Sequence, residues 1–182
     1  MKQNGITLLG VLTAGVLAVA SMCAQSARGS AQSQSSQGTA AQHAFLTKAA
    51  VGEMAEVKLG QLAVQKASHS DVKAFGRQMA DDHGKANDEL KELASSKGVT
   101  LPAGIDAKHQ AVYDRLSKLD GAAFDRAYMQ DMVSDHRADV NEFRLESKSG
   151  SDPDFKAWAA KTLPTLEHHL QMAESTKAKV KK

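Results

Sequence analysis

Two five-residue strings, Met79-Ala-Asp-Asp-His83 and Met132-Val-Ser-Asp-His136, share a Met-x-x-Asp-His frame 53 residues apart. Both lie inside stretches of helical periodicity. Val72, Phe75, Met79, His83, Ala86, Leu90 and Leu93 recur every three or four positions, and so do Phe124, Tyr128, Met132, His136, Val140 and Phe143. That spacing turns one apolar stripe of an α-helix toward a core. In both stripes the imidazole takes a core position. A buried ionisable group is costly unless it is hydrogen-bonded or bound to a metal. The fold must therefore pack helices against one another and find partners for these rings.

The rest of the sequence supports helices and nothing else. Ala, Lys, Glu, Gln and Leu dominate, aromatics are scarce, and no segment shows the Val/Ile/Thr alternation of a strand. A first helix is expected over 42–67. Phe45, Ala49, Gly52, Glu56, Leu59 and Ala63 form one stripe, with Leu46, Ala50, Glu53, Val57, Gly60 and Val64 beside it. Ser68-His69-Ser70 reads as a tight turn, with Ser70 or Asp71 capping a second helix that stops near Gly98. A short helix over 106–119 uses Val112 and Leu116. A third long helix starts near Ala122 and ends at the turn Ser149-Gly-Ser-Asp-Pro153, where Pro153 suits a first helical position. The fourth carries Phe155, Trp158, Thr162, Leu166, His169 and Ala173, with a kink expected at Pro164. A second echo supports this layout: Asp71-Val-Lys-Ala-Phe75 matches Asp154-Phe-Lys-Ala-Trp158 at an offset of 83. Each copy opens the second helix of a hairpin. Two hairpins joined by a longer crossover give an all-α, ferritin-like four-helix bundle with a short extra crossover helix.

The chain ends carry other signals. Residues 1–24 read as an export signal, because Ile6 to Ala20 is uncharged and largely apolar and small residues follow. The run is short for a membrane span, which needs roughly 20 apolar residues. Cys23 is the single cysteine. A membrane anchor is expected only if Cys23 is lipidated, and Met22 before it is bulky for that processing. Residues 25–41, rich in Ser, Gln and Ala, read as a disordered tether, and 42–180 as the folded domain. The expected destination of the folded domain is therefore outside the cytoplasm. The net charge of +2 is small and its excess sits in the Lys177–Lys182 tail, so no basic face for nucleic acid is expected. The sequence names no partner protein. No nucleophile motif, phosphate loop or Cys-x-x-Cys is present, so no catalytic residue is assigned and the balance is against an enzyme.

Counting from the turns ranks the inward polar residues. Glu56 and His83 lie at similar distances from a turn centred near His69, and His136 and His169 from one near Asp152. At about 1.5 Å rise per residue, each pair is level. Four helices thus offer one metal-competent side chain apiece: Glu56, His83, His136 and His169. Imidazole and carboxylate together suit a single Zn, Fe, Mn or Cu ion. Glu53 is a reserve carboxylate one turn from Glu56. Asp82, Asp135, Glu167 and His168 adjoin the histidines and suit supporting or rim positions. The competing reading is a polar core with no ion, in which Glu56–His83 and His136–His169 are buried hydrogen-bonded pairs. Met54, Met79, Met129, Met132 and Met172 could serve Cu(I), but Met at helical spacing is usually core filler. His43, His69 and His109 are expected in solvent.

These motifs resemble a known family. Phe45-Leu46 followed by Ala49-Ala50, Glu56-Val-Lys-Leu-Gly60, the two Met-x-x-Asp-His frames, Gly121-Ala-Ala-Phe-Asp-Arg-Ala-Tyr128 and Thr162-Leu-Pro-Thr-Leu-Glu-His-His169 together look like the bacterial domain of unknown function 4142. The likeness runs from Ala41 to Thr176. It implies an exported, ferritin-like helical domain of the periplasm or outer membrane, with no established activity. Di-iron proteins of similar architecture carry Glu-x-x-His on two helices. No Glu-x-x-His occurs here, which argues against a di-iron centre and for one metal or none. The function expected is a metal carrier, buffer or stress protein. The alternative is a non-catalytic envelope interaction or structural domain with a polar core.

Overall fold

A computed structural model describes the backbone of residues 20–180 and the side chains from residue 39 onward. The expected export signal falls almost wholly outside the described residues, as does the Cys23 side chain. Five helices follow in order: α1 (Ala20–Lys66), α2 (Ser70–Ser96), α3 (Ala107–Ser117), α4 (Gly121–Ser149) and α5 (Pro153–Val180). No strand occurs among the described residues. α1 begins upstream of Gln42 and takes in the Ser/Gln-rich stretch. The bundle described below is the compact unit Gly38–Lys182. No helix of the described residues is long and apolar enough to cross a membrane.

Local chemistry explains where the helices start. Asp106 Oδ1 accepts from the His109 N–H (2.9 Å) at the head of α3. Asp152 Oδ1 accepts from the N–H groups of Asp154 (2.9 Å) and Phe155 (3.2 Å) at the head of α5, with Pro153 in the first turn as expected. The N-cap of α2 is His69, not Ser70 or Asp71: its Nδ1 accepts from the Asp71 N–H at 3.1 Å. Gly98 and Gly121 have φ of +66° and +57°, the left-handed backbone that ends α2 and opens α4.

Each hairpin turn is tied by a polar side chain from the other hairpin. Buried Asp125 of α4 accepts from the Ser68 N–H (3.1 Å), the His69 N–H (2.9 Å) and the Ser68 hydroxyl. Buried Gln42 of α1 donates to Glu146 Oε1 (2.8 Å) and accepts from the Asp152 N–H (3.1 Å). α1 and α2 are in close backbone contact at Gly60 and Gly76. A Cβ at Gly60 would meet the Gly76 carbonyl at 2.5 Å, and one at Gly76 would meet the Gly60 carbonyl at 2.7 Å. Only glycine allows that contact.

The core is two apolar clusters. One holds Leu59, Phe75, Met79, Phe124, Tyr128 and Met132, and the crossover helix α3 adds Leu116 to it. The other holds Phe45, Leu90, Phe143, Phe155, Trp158 and Leu166. Along every long helix a polar residue interrupts the change from one cluster to the other: Glu53 and Glu56 on α1, His83 on α2, His136 on α4 and His169 on α5. The fold thus encloses one polar layer between two dry ones.

Candidate metal centre

His83, His136 and His169 come from α2, α4 and α5 and are 3%, 0% and 0% exposed. One ring nitrogen from each lies within 4.8 Å of the other two. The ring centroids form a near-equilateral triangle with sides of 5.5, 5.2 and 5.5 Å. The second nitrogen of each ring is tied to an oxygen. His83 Nδ1 is 2.7 Å from Glu53 Oε2, His136 Nδ1 is 3.0 Å from the Met132 carbonyl, and His169 Nε2 is 3.0 Å from Asp82 Oδ2. The Met132 carbonyl can only accept, so His136 donates from Nδ1 and keeps its lone pair on Nε2. An ionised Asp82 likewise leaves the lone pair of His169 on Nδ1. His83 Nε2, His136 Nε2 and His169 Nδ1 are buried with no hydrogen-bond partner among the described residues. Three orphaned imidazole nitrogens, each opposite a tied one, is the arrangement that orients metal-binding histidines.

The electrostatics fit. Burial pushes the His83 imidazole down to about 4. Burial, with the neighbouring His83 and His169, pushes His136 to about 3. Burial and His83 push His169 to about 4, against the opposing hydrogen bond to Asp82. All three rings are therefore neutral near pH 7, the form that binds metal. Burial pushes Asp82 up, but hydrogen bonds from Gln78 and His169 outweigh it and leave its carboxyl below the usual range. Burial holds Glu53 well above the usual carboxyl range. Burial, then Asp135 and Asp139, does the same to Glu56. Burial and neighbouring Asp135 and Glu53 raise Asp139 likewise.

The sequence-predicted residues divide as follows. The three histidines converge. Glu56 is 1% exposed with both oxygens unpartnered among the described residues, and its Oε1 is 3.9 Å from His136 Nδ1, the nitrogen that also faces the Met132 carbonyl. The carboxylate bonded to His83 is Glu53, not Glu56. The reason is the turn centre: α1 ends at Lys66 and α2 starts at Ser70, so Glu53 and His83 are equidistant in sequence from Ser68. Asp82 supports His169. Asp135 lies close enough to act on the charges of Glu56, Asp139 and the rings. Glu167 instead pairs with Arg144 (2.7 Å), and His168 is exposed. Met79, Met129 and Met132 are packed in the first apolar cluster. His69 and His109 are partly buried at helix starts and not in open solvent, because each binds its own helix terminus or cap. Sequence reasoning missed Asp139, although it lies one turn beyond His136. It also missed Asp125, whose role depends on a turn distant in sequence.

Comparison with known proteins adds the following. The family profile described as Domain of unknown function (DUF4142) matches residues 27–176. A comparison with curated proteins finds no match. Among solved structures, a DUF305 fragment from Deinococcus radiodurans superposes with a TM-score of 0.67 at 12% identity, covering 76% of this chain and 96% of that one. CopM in its Cu(II)-bound form superposes with a TM-score of 0.63 at 17% identity, covering 76% of this chain and 96% of that one. CopM in its Cu(I)-bound form gives 0.60 at 17% identity over 74% and 93%. At these identities the likeness shows a shared helical-bundle fold.

Proposed function

The chain belongs to the DUF4142 family, a domain of unknown function, and we propose that this member holds one transition-metal ion in its polar layer, with His83, His136 and His169 as ligands. Two observations carry the reading: one nitrogen of each buried ring lies within 4.8 Å of those of the other two, and each ring has one nitrogen without a hydrogen-bond partner among the described residues. Leaving a buried polar group unsatisfied costs roughly 1–3 kcal/mol. A bound cation would satisfy all three at once. Neutral imidazoles favour zinc or copper over manganese, which prefers oxygen donors. A copper-bound relative in fold, CopM, is consistent with this choice. Glu53, Glu56 and Asp82 would supply the negative charge that a dication needs away from water. Burial favours the protonated forms of Glu53 and Glu56, so a cation loaded beside them would favour release of their protons.

A cavity that reaches His83 has room for about one water, about 20 Å³. That favours holding an ion over turning over an organic substrate, so the role proposed is carriage or buffering. The apolar Ile6–Ala20 run supports placing this activity outside the cytoplasm, in the periplasm or at the outer membrane.

Metal analysis and thermal melting of chelator-stripped, reloaded protein test the reading. One equivalent of Zn²⁺ or Cu²⁺ is expected. Free metal at about 100 times its dissociation constant should add about 2.7 kcal/mol of stability, or about 5–11 °C in Tm for a domain of this size. Uptake below about 0.1 equivalent with an unchanged Tm rejects the site, since an ion bound only by the folded state must stabilise it. His83→Gln with His136→Gln should abolish both the uptake and the Tm gain.

A further inference from the structure

The triad lies in a closed layer, so an ion needs a way in. One cleft joins it to the surface. Lys48, Gly52, Glu53, His83, Asp139 and Glu142 line it. At the outer end the side chains of Lys48 and Glu142 are 68% and 32% exposed and pair at 3.2 Å. At the inner end stand Glu53 and His83, both 3% exposed. Between them Asp139 sits among Asp135, Glu53 and Glu142, whose charges oppose its ionisation. Gly52 leaves this wall of α1 open, because a Cβ built on it meets nothing within 4 Å. The space is narrow, with room for about one water.

We propose that this α1–α4 cleft is the passage by which a metal cation reaches and leaves the histidine triad, with Glu142, Asp139 and Glu53 as successive carboxyl stations and the Lys48–Glu142 pair across its mouth. The proposal rests on the metal-binding reading above. Carboxyl groups lining a narrow passage offer oxygen donors to a cation, and an arriving cation favours their ionised form over the protonated form that burial favours. A partly dehydrated ion exchanges water for carboxyl oxygen at each station before meeting His83. The ammonium of Lys48 opposes a cation at the mouth, and its exposed, flexible stem lets it move aside. Gly52 is the residue that keeps the bore clear.

A passage changes how fast an ion enters and leaves, and it leaves the bound state unchanged. Stopped-flow absorption of Co²⁺ uptake by the full chain, and of Co²⁺ removal by EDTA, reads both directions. Gly52→Leu is expected to slow both by about tenfold or more, with the equilibrium affinity within about twofold of the parent. Gly52→Ala, which adds only a methyl group to open space, should slow both by less and covers the case in which the leucine variant fails to fold. Lys48→Gln should speed association. Gly104→Leu, in the loop before α3 with nothing within 4 Å of its Cβ, should leave both rates at parent values. If the parent takes up Co²⁺ and both Gly52 variants keep its rates, the passage is wrong and the metal site stands. A change confined to one direction, with weaker affinity, points to damage at the site and also overturns the passage. If the parent takes up no Co²⁺, the metal-binding reading fails and the passage with it.

Discussion

A neutral imidazole has one donor and one acceptor nitrogen, so a hydrogen bond at one decides what the other can do. That rule separates this polar layer from an ordinary buried pair. In a buried pair the partners satisfy each other. Here the partners are Glu53, the Met132 carbonyl and Asp82, and they hold the far side of each ring. Asp82 gives the cleanest test because it is partly exposed and can be removed without opening the core. Asp82→Ala should weaken Zn²⁺ binding about 10–100-fold by releasing the tautomer and orientation of His169. Metal-free stability should fall by no more than about 0.5–1.5 kcal/mol, the net worth of one part-buried hydrogen bond. Isothermal titration beside a thermal melt reads the two effects separately. Equal losses in both would mean that the contact serves the fold alone. The positions of His83, His136 and His169 were legible because each breaks an otherwise apolar stripe. The choice between Glu53 and Glu56 was not, because it turns on the centre of a loop, and a shift there of one residue changes which carboxyl faces His83.

At the scale of the helix, two glycines in α1 have opposite meanings. Gly60 stands against the Gly76 carbonyl, while Gly52 faces open space. Replacing either by alanine gains up to about 1 kcal/mol of helix propensity. At Gly60 that gain is outweighed. The new Cβ would sit 2.5 Å from backbone oxygen, which cannot move as a flexible side chain can, and such overpacking costs about 1–3 kcal/mol. Gly60→Ala should therefore lower the Tm of metal-free protein by several degrees and Gly52→Ala should raise it, at about 2–4 °C per kcal/mol. A melt in which both variants rise would refute the tight α1–α2 contact. Element order and type were largely legible, since helical spacing, Pro153 and the hairpin echo all agree on where chains reverse. The ties that fix those reversals were not. Asp125 and Gln42 act on turns 57 and 110 residues away, and no local pattern marks such a contact.

For the whole molecule, the polar layer sets how stability responds to pH. The three histidines have folded-state values near 4, 3 and 4, below the ordinary 6.5. Unfolding lets them take up protons, so their contribution is complete above pH 6.5 and falls as pH drops toward 4. Each costs about 1.4 kcal/mol per pH unit inside that window. Glu53, Glu56 and Asp139 are shifted the other way, above ordinary carboxyl values of 4.5, 4.5 and 3.8. Their contribution is complete below about pH 4 and is lost as pH rises through their folded-state values. Above about 4.5 the two sets act in opposite directions, so the metal-free protein should gain less stability with rising pH than the histidines alone would give. Above 6.5 the histidines are neutral in both states, so only the carboxyl groups can still act, and stability should not rise further with pH. A bound cation favours the ionised carboxylates and removes much of their upward shift, so the Zn²⁺-loaded protein should lose little stability over the same range. Melting both forms from pH 4 to 8.5 checks this. A metal-free Tm that climbs steadily from 5.5 to 8.5 would mean that these carboxyl groups are already ionised in the folded chain, with water or a counter-ion reaching the layer between the two apolar clusters.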